Sequence, residues 1–552
     1  MAIYVLSQPL APNDLWYHLR AGAWMVQHHS FPRVAMFTPS VPANTPYFYQ
    51  SWLAEIVMYL TLKWTGLAGS QMARAICFTG AIAIIMASAA QRAKVLLSAP
   101  GVDSFNDGAR RAALVGLFVL FMSIPNTDLR PQAFSLPLFA LFAAIIFTWT
   151  TYNNRQLIIR AACLIGLMAV WANTHGAFAT GLILLLLFCI GETLHFYGGN
   201  SLTAYLGKRL DKTRLKLAWI TFAGCAAAAC INPQLWKIYA YVYALASNTI
   251  GEKYIQEWQP PTWSDGSNSV FFCCGIASLL LLILLVERFR NKQEGNADNT
   301  GHKSTFGAMG IRPGEFCVAV TFFVMGLRNV RSIIWFALIF LIVGTALICR
   351  AFPPKPQTKV PHITSAIQRL NVLIAVIFIL LAVPFFPWFK PLLPWPKSYM
   401  QKFAATPAIF RGEPAMLLSN LTPTGAADFL RQSPPRGLLW NNMVFGSYLV
   451  WALYPAQGPW ADPRVELRPD SFWYEYMDTG HAKNDPARTL IQKGFSDVLI
   501  DKEDVSEKPL LKTLAQSPQW HQVYEDQTAI LFRVAQASPS NDATKKSPKK
   551  RF

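Results

Sequence analysis

Asp14, His18 and Arg20 lie within one short polar stretch, "NDLWYHLRAG", near the start of the chain. Four further groups carry comparable side chains: Asp128 and Arg130 in "PNTDLRPQ"; Asn173 and His175 in "WANTHGAF"; Glu252, Glu257, Trp258 and Asp265 in "GEKYIQEWQPPTWSD"; Arg328 and Arg331 in "LRNVR". A carboxylate can ligate Mg²⁺ or Mn²⁺, or take a proton from an acceptor hydroxyl. A guanidinium is a fixed positive charge suited to a phosphate. Each group abuts a long apolar run, and ionisable side chains beside a membrane span are costly unless paired or wet. All five groups are therefore candidate site residues.

The elements that must hold them are read from the apolar pattern. The chain has 552 residues, 53% hydrophobic and 14% charged, which is too apolar for a soluble protein of this length. Crossing a bilayer takes about 20 apolar residues. Runs of suitable character lie near 69–90, 110–125, 133–150, 157–172, 176–195, 215–231, 270–286, 313–327, 332–350 and 371–389. That predicts ten spans, or eleven if residues 1–10 are the remnant of another. Residues 52–65 carry Glu55 and Lys63 in a helical apolar pattern and read as an interfacial or re-entrant helix. The opening residues "MAIYVLSQPLAPNDL" lack the basic start of a secretory signal, so the reading is that a preceding span has been cut away.

Lys and Arg concentrate in the loops at 91–111, 196–216, 287–312 and 350–370, with a weaker pair at Arg155 and Arg160. These are alternate loops, and cytoplasmic loops are the basic ones. Residues 1–51 and everything beyond about 390 then lie on the non-cytoplasmic side of a bacterial inner membrane, and so do all five polar groups. The formal charge of +19 is explained by these loops, and nucleic acid is not expected as a partner. Residues 390–419 are Pro-rich and read as a linker; 420–535 alternate strand and helix patterns as a small soluble domain does; 536–552 read as a basic disordered tail. The fold class expected is an α-helical polytopic membrane protein with a small C-terminal α/β domain. All nine cysteines fall in apolar runs and read as packing residues. No P-loop, dinucleotide fingerprint or serine-hydrolase elbow is present.

The stretch "NDLWYHLRAGAWMVQHHSFP" resembles the first external loop of the GT-C superfamily of membrane glycosyltransferases, above all the catalytic subunit of oligosaccharyltransferase. There an Asp precedes a short aromatic cluster, a His or Asn, and an Arg. The plan of many spans, with the motif loops and a C-terminal α/β domain on one side, is similar too. The resemblance implies transfer of a sugar from a polyprenyl-phosphate donor to a glycan, lipid or protein acceptor at the membrane. It implies that Asp14 helps bind a divalent cation, Mg²⁺ or Mn²⁺, and the acceptor, with the metal neutralising the leaving phosphate. Asp128 is the matching second contact. The family's second loop carries two acids separated by one residue, whereas this chain reads Asp128-Leu129-Arg130, so Arg130 either neutralises Asp128 or binds the donor phosphate. Arg328 and Arg331 are candidate phosphate clamps, and His18, Arg20 and His175 candidate substrate contacts. The acidic motif that reads an acceptor sequon is absent from "LLWNNMVFGSY", which makes Asn-linked protein glycosylation unexpected.

Plainer readings stand beside these. Asp14 can cap the helix that follows it, and His18, one turn on, can pair with Asp14. Asp128 with Arg130 can be a structural pair, and Arg328 and Arg331 interfacial anchors. Glu257 and Trp258 can simply order their loop. A different class, a transporter or scaffold for lipid-linked glycan precursors, should show inverted repeats or helices broken near the midplane, and neither is visible.

Overall fold

The computed structural model describes residues 1–98, 103–198, 205–295, 308–354 and 365–535, so the basic tail lies outside the described residues. The chain opens with α1 (Ala2–Ser7) and α2 (Leu15–His28), followed by the long α3 (Trp52–Leu96). Next come α4 (Ser104–Ser123), α5 (Pro131–Phe147), α6 (Asn154–Thr174) and α7 (Phe178–Tyr197). Helices at Lys212–Ala229, Gly266–Gly295, Pro313–Arg328, Ile333–Ala351 and Ser365–Ala382 follow, with shorter helices at Lys237–Ala246 and Thr249–Tyr254 between the first two. A helix stands at each of the ten predicted runs, and among the described residues six of them are long and apolar enough to cross a membrane; the rest are shorter or less apolar.

Gly66 divides α3 at the boundary the charge pattern suggests. Its φ of 67° is a left-handed value that glycine adopts without strain, and it separates residues 52–65 from the span proper. The helix at Ile333–Ala351 is apolar on every side and sits at the centre, packed by α3, α4 and the helix at Pro313–Arg328.

Two arginines that the sequence places with the basic loops are internal. Arg92 donates to both Glu315 carboxylate oxygens, at 2.6 and 2.5 Å, and Arg312 grips Glu192 in the same two-pronged way. The planar fork of a guanidinium matches a carboxylate, which makes this burial tolerable. The pairs tie α3, α7 and the helix at Pro313–Arg328 together. α3 runs from Glu55 to Arg92 and α4 returns toward Asp128, so the buried pairs and the acidic groups occupy opposite ends of the helices.

The C-terminal part forms a four-stranded sheet of β1 (Leu438–Asn441), β2 (Phe495–Asp501), β3 (Trp520–Glu525) and β4 (Ala529–Val534), in the order β1-β2-β4-β3. β1 and β2 are parallel and the other pairs antiparallel. The helix at Met443–Leu453 packs on α2, and Tyr17 N donates to Ser447 Oγ at 3.2 Å. Buried Asp462 pairs with Arg464 and Arg468 at 2.8 and 3.4 Å. Arg464 in turn donates to Met36 O, and Arg468 to Thr38 Oγ1 and Ser40 Oγ, so "WADPR" fastens the first segment to the soluble domain. Residues 390–419 are tied to the start of the chain, with Lys390 Nζ on Leu6 O at 2.6 Å and a bridge between Leu10 and Leu418.

Candidate active site

Four separate stretches converge on Arg130. It is the N-cap residue of α5, with Pro131 at the first helical position, where a missing N–H costs nothing. Its two terminal nitrogens donate to the two Glu257 oxygens, each at 2.7 Å. Asp128 lies 3.1 Å away and Asp14 3.6 Å away on the same guanidinium. Asn13 Nδ2 donates to Asp128 at 2.6 Å, joining the first segment to the loop before α5. Asp14 does occupy the N-cap position of α2, but its side chain makes no capping bond. The carboxylate is aimed at Arg130 instead.

Arg331 forms the second half of the cluster. Its Nη1 approaches Glu257 at 3.3 Å and its Nε donates to Gln132 Oε1 at 2.8 Å, while the guanidinium lies 5.8 Å from the Trp258 ring centroid. Burial alone would raise the Glu257 carboxyl, but Arg331 and then Arg130 outweigh it and hold the group down to about 2. Burial likewise opposes the charge on Arg130, and Glu257, Asp14 and Asp128 overcome it. Three carboxylates thus face Arg130 and Arg331, and the buried Arg74 acts electrostatically on Asp128 as a third guanidinium.

His18 does not pair with Asp14. Its Nδ1 meets Glu55 Oε1 at 2.7 Å, and both side chains are buried. Gly22 explains the pairing: a Cβ there would stand 2.1 Å from Glu55 O, so only glycine lets α2 lie this close to α3, one turn beyond His18. The second carboxylate oxygen of Glu55 and the indole nitrogen of Trp258 are buried polar atoms with no hydrogen-bond partner among the described residues. His175 terminates α6; its Nδ1 accepts from Ala177 N at 3.1 Å. Burial, Arg331, His18 and Arg130 together push its imidazole well below the ordinary range, so it is neutral near pH 7.

The structure therefore brings together Asp14, Asp128, Arg130 and Arg331, with His175 and His18 close enough to act electrostatically on each other. Arg20 is directed elsewhere: it donates to Tyr454 O and lies 5.0 Å from the Tyr454 ring centroid, where it fastens α2 to the soluble domain. Arg328 is exposed at the end of its helix. Sequence reasoning missed Glu55 and Gln132 as members, and it missed the pairing of Glu257 with Arg130. Glu257 did fall in one of the five polar groups, but a pairing across 127 positions leaves no local signal.

Among the described residues, no cluster of three or more His, Cys, Asp or Glu side chains could hold a metal ion. The two partly exposed acids Asp14 and Asp128 are what the chain itself offers a cation.

No protein-family model and no curated protein matches the sequence. Solved structures with a similar overall path include ArnT from Cupriavidus metallidurans bound to undecaprenyl phosphate, at 14% identity over 96% of this chain and 95% of that one, with a TM-score of 0.44. Another is the oligosaccharyltransferase of Archaeoglobus fulgidus in complex with Zn and sulfate, at 13% identity over 89% of this chain and 64% of that one, with a TM-score of 0.43. The likeness is one of chain path alone and says nothing of the reaction.

Proposed function

We propose that this protein transfers a sugar from a polyprenyl-phosphate-linked donor to an acceptor at the non-cytoplasmic face of a bacterial inner membrane. The observation that carries the reading is the convergence of Asp14, Asp128, Glu257 and Arg331 on or around Arg130 at the end of the helices that also bears the soluble domain. Catalysis of such a transfer needs a group to accept the acceptor's proton and fixed positive charge where the phosphate leaves.

Asp14 is the proton acceptor. It is the carboxylate of the cluster farthest from Arg130, at 3.6 Å, and its side chain is 24% exposed. As the acceptor oxygen bonds to the sugar's anomeric carbon, its proton passes to Asp14 and the bond from that carbon to the phosphate oxygen breaks. The charge that develops on the departing phosphate is met by Arg331, one quarter exposed, and by Arg130 behind it. Glu257 orients both arginines. Neutral His175 hydrogen-bonds the substrate, and His18 with Glu55 fixes the face of α2 from which Asp14 projects. Asp14 and Asp128, whose side chains are 24% and 33% exposed, are the residues that would hold a divalent cation, which would supply further neutralisation of the phosphate.

The test is a purified-protein assay with a polyprenyl-phosphate sugar and a mixture of envelope glycans and lipids as acceptors. Turnover that is lost in Asp14→Asn supports the proposal. Binding of the donor without turnover moves the protein to the transporter or scaffold class.

A further inference from the structure

A second cavity lies in the soluble domain, and none of its lining residues belongs to the Arg130 cluster. Between β1, the start of β2 and the helices at Asp470–Gly480 and Pro486–Gln492 is a cavity of about 330 Å³. Its apolar surface is aromatic. Trp460 and Phe472 are half-buried, with ring centroids 5.9 Å apart, and Trp460 meets Phe495 edge-on at 4.9 Å. Behind them Trp440 stacks on Tyr476 at 5.1 Å and is only 2% exposed. The rim is polar. Glu475 pairs with Lys493 at 2.5 Å, and Asp478 with Lys483 at 2.8 Å, while Asn484 and Thr489 add uncharged hydrogen-bonding groups.

From this geometry we infer that the cavity binds a neutral sugar ring. Each rim carboxylate is matched by a lysine, so the rim presents donors and acceptors in number with no net charge to select an anion or a cation. Aromatic faces over a polar rim suit a ligand that is apolar on its ring faces and hydroxylated around its edge, which describes a pyranose. The volume is at the small end of the range for ligand pockets, roughly 300–1,000 Å³, which fits one or two rings and no long polymer segment. The wall is also rigidly placed. Trp460 N donates to Asn441 Oδ1 at 2.7 Å, and Trp460 O accepts from Ser40 Oγ at 2.5 Å, which joins the cavity to the same external segment that carries Asp14. Binding in the cavity goes beyond the transferase reading and stands without it.

The experiment is saturation-transfer NMR on the full chain in a detergent without a sugar headgroup, with cellobiose and chitobiose as probes. Ring protons of at least one disaccharide should receive saturation from the protein's aromatic protons. The exposed rim variant Glu475→Gln with Asp478→Asn should weaken binding at least about tenfold, since two charged hydrogen-bonding groups are neutralised, and Phe472→Ala should abolish it. Asp14→Asn should leave the signal unchanged, which separates this site from the transfer chemistry. Absence of saturation on both sugars overturns the inference, and so does binding that the rim and Phe472 variants leave at the wild-type level.

Discussion

Glu257→Gln is the most informative single change in the cluster. Its carboxylate receives two bonds of 2.7 Å from Arg130 and one contact of 3.3 Å from Arg331, so the substitution removes the group that orients both arginines while conserving volume. Removing one partner of a fully buried ion pair costs about 3–5 kcal/mol. Here the Arg130 and Glu257 side chains are 14% and 22% exposed, and Asp128 and Asp14 remain to compensate Arg130. The expected loss of stability is therefore smaller, about 1–3 kcal/mol. The effect on transfer is larger. Freed of Glu257, Arg130 moves toward Asp128 and Asp14, and a misplacement of about 1 Å in a positioning group costs about a hundredfold in rate. The assay is donor turnover by the purified variant, with thermal unfolding measured on the same sample. A variant that unfolds near the wild-type temperature but transfers about a hundredfold more slowly fits the reasoning. One that is folded and transfers within about threefold of wild type refutes the assignment of Glu257 and, with it, the role given to Arg130.

Other consequences can be checked independently. Asp14→Asn keeps the shape of the proton acceptor but removes its basicity, and should lower turnover by about 10²–10⁴-fold with little change in unfolding temperature. Acid should destabilise the cluster in a defined window. Glu257 is held at about 2 against an ordinary 4.5, so its contribution, up to about 3 kcal/mol, is complete above about pH 4.5 and is lost as pH falls toward 2; acid unfolding should be less steep in Glu257→Gln. Asp462→Asn leaves the buried Arg464 and Arg468 without their carboxylate and should cost about 3–5 kcal/mol, seen as a lowered unfolding temperature and easier proteolysis of residues 30–50. Chelation should slow transfer and added Mg²⁺ or Mn²⁺ restore it, with Asp128→Asn requiring more metal; turnover indifferent to chelation would remove the cation from the scheme.

The helical part was legible because burial in a bilayer demands uninterrupted apolar runs, and each predicted run holds a helix. The strands of the soluble domain were legible for a related reason: "SDVLID" and "TAILFRV" combine β-branched residues with turn-forming neighbours, and both lie in the sheet. Pairings were a different matter. His18 was expected beside Asp14 because helical spacing is local, yet Gly22 admits the backbone of α3 and turns His18 to Glu55. Arg92 and Arg312 looked like loop charges because a buried Glu partner more than a hundred positions away leaves no trace in the local pattern. Glu257 was visible as a polar residue beside an apolar run but not as the acid that holds Arg130. Arg20 matched a motif position, and tertiary contact with Tyr454 uses it for docking.

The central claim is that the cluster around Arg130 transfers a sugar from a polyprenyl-phosphate donor. Its most direct test is single-turnover transfer from a radiolabelled polyprenyl-phosphate sugar by the purified full chain, comparing wild type with Arg130→Lys. Lysine keeps the charge but cannot reproduce the two-pronged bond to Glu257. Release of polyprenyl phosphate by the wild type, with a drop of about a hundredfold or more in a folded Arg130→Lys protein, is the result predicted. Donor that binds and remains intact with the wild type, or transfer that Arg130→Lys leaves unchanged, contradicts it.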